Sequence, residues 1–138
     1  MTDGGYHYLA DRLAQGSVPP PGVVLPFDVI VLAAIEFQDV HLPGYEVLRV
    51  PLDDSGPPPT DFEQKLIRLG GHEIAKRVRA GKRVLVTCRQ GRNRSGVLAG
   101  RALVELGTPC NHAIERIRKL RNGLTNSYFR TLVCHDSL

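Results

Sequence analysis

The chain has 138 residues, of which 42% are hydrophobic and 23% charged, with a net charge of +4. That is enough for one core and too little for two, so residues 1–138 are expected to form a single globular domain. No run approaches the ~20 apolar residues of a bilayer span, Met1-Thr2-Asp3-Gly4-Gly5 lacks a signal-peptide pattern, and the charge shows no basic stripe, so neither membrane anchoring nor nucleic acid is expected.

Residues 6–22 carry few structure signals, and Val18-Pro19-Pro20-Pro21-Gly22 breaks any regular element. Asp28-Val29-Ile30-Val31-Leu32-Ala33 is a continuous apolar run and predicts a buried strand. Tyr45 to Val50 predicts a second strand, ended by Pro51. A polar, proline-stiffened loop follows, Leu52-Asp53-Asp54-Ser55-Gly56-Pro57-Pro58-Pro59.

Thr60-Asp61-Phe62-Glu63 is a capping-box pattern that opens a helix. Phe62, Leu66, Leu69, Ile74 and Val78 fall near helical spacing, although Gly70-Gly71 threatens a kink. Gly81 closes that helix. Arg83 to Thr87 predicts a strand, and Ser95 to Leu106 a helix ended by Gly107. Thr108-Pro109 reads as an N-cap with proline in the first turn, and Ile114, Ile117 and Leu120 as the buried stripe that follows. Arg116, Arg118, Lys119 and Arg121 read as a solvated face of that helix. A last helix is expected from Ser127 to Val133, capped by Thr125 or Asn126. Strands alternating with helices imply an α/β domain with a central, largely parallel twisted sheet flanked by helices.

The chemistry concentrates in Cys88-Arg89-Gln90-Gly91-Arg92-Asn93-Arg94-Ser95. The loop joins a predicted strand to a predicted helix, so unpaired backbone N–H groups there can cradle an anion. Arg94 adds a planar fork suited to phosphate. That field favours a Cys88 thiolate, and the thiolate is the nucleophile. A nucleophile and a phosphate cradle in one loop point to phosphoryl transfer through a phosphocysteine. The three cysteines cannot all pair with one another, and their spacing fits no zinc module. A reducing, cytoplasmic setting suits a working thiolate. The five histidines, His7, His41, His72, His112 and His135, show no metal-site spacing.

Cys88, five residues, then Arg94 and Ser95 resemble the signature loop of the cysteine-based protein tyrosine phosphatase superfamily. The chain looks most like a compact dual-specificity phosphatase. Ala113 to Arg121 and Asn126-x-x-Phe129 resemble further segments of that family. The resemblance implies that Cys88 attacks phosphorus. Arg94 and the N–H groups of Arg89, Gln90, Gly91, Arg92, Asn93 and Arg94 would hold the phosphoryl oxygens. Ser95 would assist departure of the thiolate, without metal or cofactor. Substrates would be phosphorylated proteins or small phosphate esters, phosphotyrosine first and then phosphoserine and phosphothreonine.

Such a reaction also needs a general acid for the leaving oxygen. Asp54 resembles the family's acid by its place in a proline-bearing loop upstream of the cysteine; Asp53 is the alternative. One residue departs from the family pattern: Thr87 stands where His usually precedes the cysteine. Thr87 can offer a hydroxyl hydrogen bond but no imidazole. Arg89 and Arg92 also resemble basic positions of inositol-lipid phosphatases, which leaves that substrate class open. A rhodanese-like sulfurtransferase and a non-catalytic phosphate-binding module remain as further alternatives.

Overall fold

The computed structural model describes residues 5–20, 22–54 and 58–134. Ser55, Gly56 and Pro57 of the acidic loop, His135 and the opening residues 1–4 lie outside the described residues. Within them the chain forms β1 (Tyr6–Ala10), β2 (Leu13–Ser17), β3 (Val29–Ala34) and β4 (Glu46–Leu52). Then come α1 (Asp61–Arg79), β5 (Val84–Cys88), α2 (Arg94–Glu105), α3 (Cys110–Arg121) and α4 (Ser127–Cys134).

The strands make one sheet in the order β1-β2-β5-β3-β4. Only β1 is antiparallel to its neighbour, so the α/β fold with a largely parallel sheet is the fold the chain adopts. The apolar runs 29–34 and 84–88 take its centre, where both faces are covered and every residue is buried. Alternate side chains of these strands serve different cores. Val31, Val86 and Cys88 meet Ile74, Leu98, Ile117 and Phe129 from the four helices. Ile30, Leu32 and Leu85 face Leu25, Phe27, Leu42 and Tyr45, from the segments preceding β3 and β4.

Four features differ from the sequence reading. The hairpin of β1 and β2 carried no signal. Its turn places Arg12 at φ 66°, and β2 is Leu-Ala-Gln-Gly-Ser, a poor strand sequence that is strand only because it pairs with β5. Pro51 lies inside β4 instead of ending it. β4 is an edge strand, where a missing N–H is tolerated. Of the stripe expected on α1, Ile74 is buried but Phe62 and Leu69 are exposed, and Ile67 and Ala75 are buried in their place. On α3, Leu120 is exposed, Ala113 and Ile117 are buried, and Pro109 is the N-cap residue itself.

The face that α1 buries is set by glycine. Gly70 and Gly71 leave the helix unbroken and let it approach α2 closely. A Cβ on Gly71 would sit 2.5 Å from Arg101 Cβ and 3.2 Å from the Arg101 carbonyl carbon. The capping box forms as expected: Thr60 Oγ1 accepts from the Glu63 N–H, and Glu63 Oε1 accepts from the Thr60 N–H. At the other end of the chain, Asn126 Oδ1 caps α4 by accepting from the N–H groups of Tyr128 and Phe129. A disulfide between Cys110 and Cys134 ties the start of α3 to the end of α4 and leaves Cys88 as the free cysteine.

Gly→Ala on an open helix face stabilises by roughly 0.5–1 kcal/mol. Gly71→Ala is expected to do the opposite, destabilising by about 1–3 kcal/mol through overpacking against α2 backbone. Urea denaturation of the two proteins measures it.

Candidate active site

Cys88 ends β5, a central strand, so the loop that follows opens at the carboxyl edge of the sheet where α/β folds place their ligands. Alternation along β5 sends Cys88 towards the helices and Thr87 to the other face. The Thr87 hydroxyl donates to the Val31 carbonyl in β3 at 2.7 Å. Thr87 therefore ties two strands together and gives the loop no side-chain bond. Cys88 Sγ lies 3.3 Å from Ser95 Oγ in the first turn of α2, and both residues are buried.

The loop turns at Gly91, with φ +67°. Any side chain there would be strained, and its Cβ would lie 2.5 Å from both the Gly16 carbonyl carbon and Arg121 Nη2. The back of the loop is held from two sides. Gln15 of β2 donates from Nε2 to the carbonyls of Gly91 and Arg92 and to Ser95 Oγ, at 3.1, 3.2 and 3.1 Å. Arg121, the last residue of α3, donates to the carbonyls of Gly91 and Gln90. The solvated-face reading of Arg121 is thus corrected: its guanidinium turns inward because the loop leaves carbonyls in need of donors. Arg116 also turns inward, donating to the Leu9 carbonyl.

Arg94 opens α2 and is almost fully buried. Its fork meets both oxygens of Glu36, Nη1 on Oε1 at 2.6 Å and Nη2 on Oε2 at 2.9 Å. Glu36 sits in a 3-10 turn, Ile35–Phe37, directly after β3. The Arg94 hydrogen bonds are the main reason the Glu36 carboxyl titrates below its usual range. For Arg94, burial works towards a lower value. Its bonds to Glu36 and the charges of Cys88, Glu36 and Asp54 outweigh that and raise it.

Asp54 follows β4 and reaches across to the loop. Its Oδ2 accepts from Asn93 Nδ2 at 3.0 Å and its Oδ1 from Asn126 Nδ2 at 2.6 Å. Both amides are fixed in that sense. Asn93 Oδ1 accepts from the Asn126 N–H and the Thr125 hydroxyl, and Asn126 Oδ1 is committed to capping α4. Asn93 caps no helix N–H, so the amides at the start of α2 stay open towards the loop. The Asp53 N–H donates to Glu63 Oε2, which ties the acidic loop to the α1 capping box.

An open cleft of about 330 Å³ is lined by Glu36, Asp53, Asp54, Cys88, Arg89, Gln90, Arg92, Asn93 and Arg94. It gathers the nucleophile candidate, the arginine expected to grip phosphate and both acid candidates. Gly91 and Ser95 do not line it, because one turns the loop from behind and the other supports Cys88 from beneath. Sequence reasoning missed Glu36, Gln15, Asn126 as an Asp54 partner, and Arg121. A lone glutamate after a strand, a glutamine in a poor strand and an asparagine before a helix carry no local signal of what they will meet. Among the described residues no group of three or more His, Cys, Asp or Glu could hold a metal, and no helix is long and apolar enough to cross a membrane.

No protein-family model matches the chain. It is 35% identical over 95 residues to protein tyrosine phosphatase type IVA 2 of mouse, and equally to that of rat. The match covers 69% of this chain and 56% of those proteins, so it spans a little over half the length of the curated relatives. A mouse putative dual specificity phosphatase solved with zinc tungstate superposes with a TM-score of 0.81 at 22% identity, covering 96% of this chain and 86% of that one. Human DUSP28 gives 0.80 at 22% identity, covering 96% and 92%. PTPMT1 in complex with PI(5)P gives 0.76 at 20% identity, covering 94% and 92%. The chain has the fold of the cysteine-based protein tyrosine phosphatases in its compact dual-specificity form.

The Arg94–Glu36 pair gives a pH signature. The Glu36 carboxyl titrates lower in the folded state than in the unfolded one. Its contribution to stability is therefore complete above the ordinary glutamate range and is lost as pH falls through the folded-state titration. Glu36→Gln is expected to be less stable than the wild type at neutral pH, with the gap closing in acid. Denaturation midpoints of both proteins across pH measure it.

Proposed function

We propose that this chain is a phosphatase that hydrolyses phosphate monoesters through a phosphocysteine, acting on phosphotyrosine and also on phosphoserine and phosphothreonine. Cys88 Sγ attacks phosphorus, an S–P bond forms and the P–O ester bond breaks. Asp54 gives its proton to the departing oxygen, and for this one of its oxygens exchanges an amide hydrogen bond for the proton. Water then attacks phosphorus and passes a proton to Asp54, the S–P bond breaks and inorganic phosphate leaves. Arg94 and the N–H groups of residues 89–94 carry the charge on the phosphoryl oxygens. Ser95 donates to the departing thiolate. The chemistry would use no metal or cofactor and needs Cys88 as the free thiolate; the Cys110–Cys134 disulfide runs against the reducing, cytoplasmic setting expected from the sequence. The observation that carries this reading is the cleft itself, where Cys88 and Arg94 face Asp54.

Arg89 and Arg92 both line the cleft, and this favours a second reading, an inositol-lipid substrate with further anionic groups. The neighbour solved with PI(5)P supports it at the level of fold. Phosphate release from phosphotyrosine peptide, phosphothreonine peptide and phosphoinositide vesicles separates the two. An Arg89→Ala/Arg92→Ala variant that loses only the lipid activity would favour the second. A persulfide formed from thiosulfate would replace both with the sulfurtransferase reading. Tight phosphopeptide binding without phosphate release would favour the binding module.

Two variants test the mechanism. Cys88→Ser is expected to abolish turnover while still binding phosphate esters, since the loop and Arg94 remain; phosphate release and equilibrium binding read the two halves separately. Asp54→Asn is expected to slow phosphotyrosine hydrolysis by about 10²–10⁴-fold, the usual worth of an acid–base group. It should slow an activated aryl phosphate far less, because that leaving group departs without help. The same leaving-group dependence in Asp53→Asn would move the role one residue back.

A further inference from the structure

We infer that Gln15 is a positioning residue that turns the Ser95 hydroxyl onto Cys88, an inference that rests on the phosphatase reading. Gln15 is fully buried in β2, on the sheet face that also carries Cys88. Its amide can point only one way. Nε2 meets three acceptors, the carbonyls of Gly91 and Arg92 and the Ser95 oxygen. A flipped amide would press its oxygen against two carbonyl oxygens. The actual orientation leaves Oε1 buried with no partner among the described residues, a cost offset by two N–H donors shared among three acceptors.

The consequence falls on one proton. A serine hydroxyl has one hydrogen and two lone pairs. Ser95 Oγ lies 3.3 Å from Cys88 Sγ, and one of its lone pairs accepts from Gln15, so once Cys88 has lost its proton the hydroxyl hydrogen is free to point at the sulfur. A hydroxyl donating to sulfur stabilises the thiolate that attacks and the thiolate that departs. Thr87 is committed to Val31 on the far face of the sheet and gives neither the loop nor the sulfur a side-chain bond. Support that the sequence leads one to seek beside the cysteine comes instead from a glutamine 73 positions earlier, one strand away in the sheet.

The two carbonyls are not Gln15's alone. Gly91 oxygen also accepts from Arg121 Nε, and Arg92 oxygen from the Leu124 N–H. Gln15→Met keeps the bulk and removes the donor, so the loss concentrates on Ser95. The expected result is breakdown of the phosphoenzyme slowed by about tenfold, the worth of one hydrogen bond to a charged group. Iodoacetamide alkylation of Cys88 should also move to higher pH. In a Ser95→Ala background, Gln15→Met should add little to either readout, since the path runs through that hydroxyl. An equal effect with and without Ser95, or no effect in the wild type, overturns the inference. Gln15→Leu carries the same test if the methionine variant does not fold. The alkylation arm needs no substrate. A Ser95-dependent alkylation shift in a protein that releases no phosphate would sink the phosphatase reading and keep Gln15's role. Normal turnover with no effect of Gln15→Met would do the reverse.

Discussion

Arg94 is a charge that the fold has taken almost entirely out of water, and the cleft is arranged around keeping it there. A buried guanidinium without a partner is strongly destabilising. Glu36 supplies a fork-to-fork match with two hydrogen bonds, and the Leu52 carbonyl accepts a third at 3.3 Å. Those three contacts also fix where the arginine points. It is held in the cleft lining by those contacts alone, so the proposed grip on a phosphoryl group would cost little ordering. Glu36 follows β3 and Leu52 ends β4, so the position of one side chain depends on the parallel register of three strands.

The loop faces a second constraint. The carbonyls of Gln90, Gly91 and Arg92 lie at the back of the loop, where each needs a donor. Gln15 of β2, Arg121 of α3 and the Leu124 N–H of the connection between α3 and α4 meet that need. Asn93, Asn126 and Asp54 close the rim in the same way, by amides whose orientation is fixed from behind. Rigidity at the site is thus a by-product of satisfying buried polar groups. Gly91 makes the contact possible, because the loop apex rests on the β2 backbone at Gly16 with no room for a Cβ.

Much of this was legible beforehand where the signal is local. The apolar runs at 29–33 and 84–87, the Thr60–Glu63 capping box and the Cys88-to-Ser95 loop each carry their meaning within a few residues. Asp54 was singled out by analogy; its carboxylate meets the loop through Asn93, and its part as the acid is a proposal. The sequence failed where two faces of a helix were equally apolar. On α1 Phe62 and Leu69 stay exposed, while the side bearing Gly70, Gly71 and Ile74 packs closely against α2, where a Cβ on Gly71 has no room. It failed again at Arg121, whose helix face reads as solvated until one sees the carbonyls beneath it.

The sequence by itself determined the alternation of strand and helix and the loop from Cys88 to Ser95 that joins a central strand to α2. Those follow from periodicity, capping and turn chemistry, all of which act over a handful of neighbouring residues. The tertiary structure alone decided what completes the loop. Glu36 against Arg94, Gln15 beneath Ser95 and Asn126 against Asp54 are 58, 80 and 72 positions apart in the chain. Hydrogen bonding between buried groups depends on distance in space, and only the packing of the sheet and its helices brings these pairs within reach.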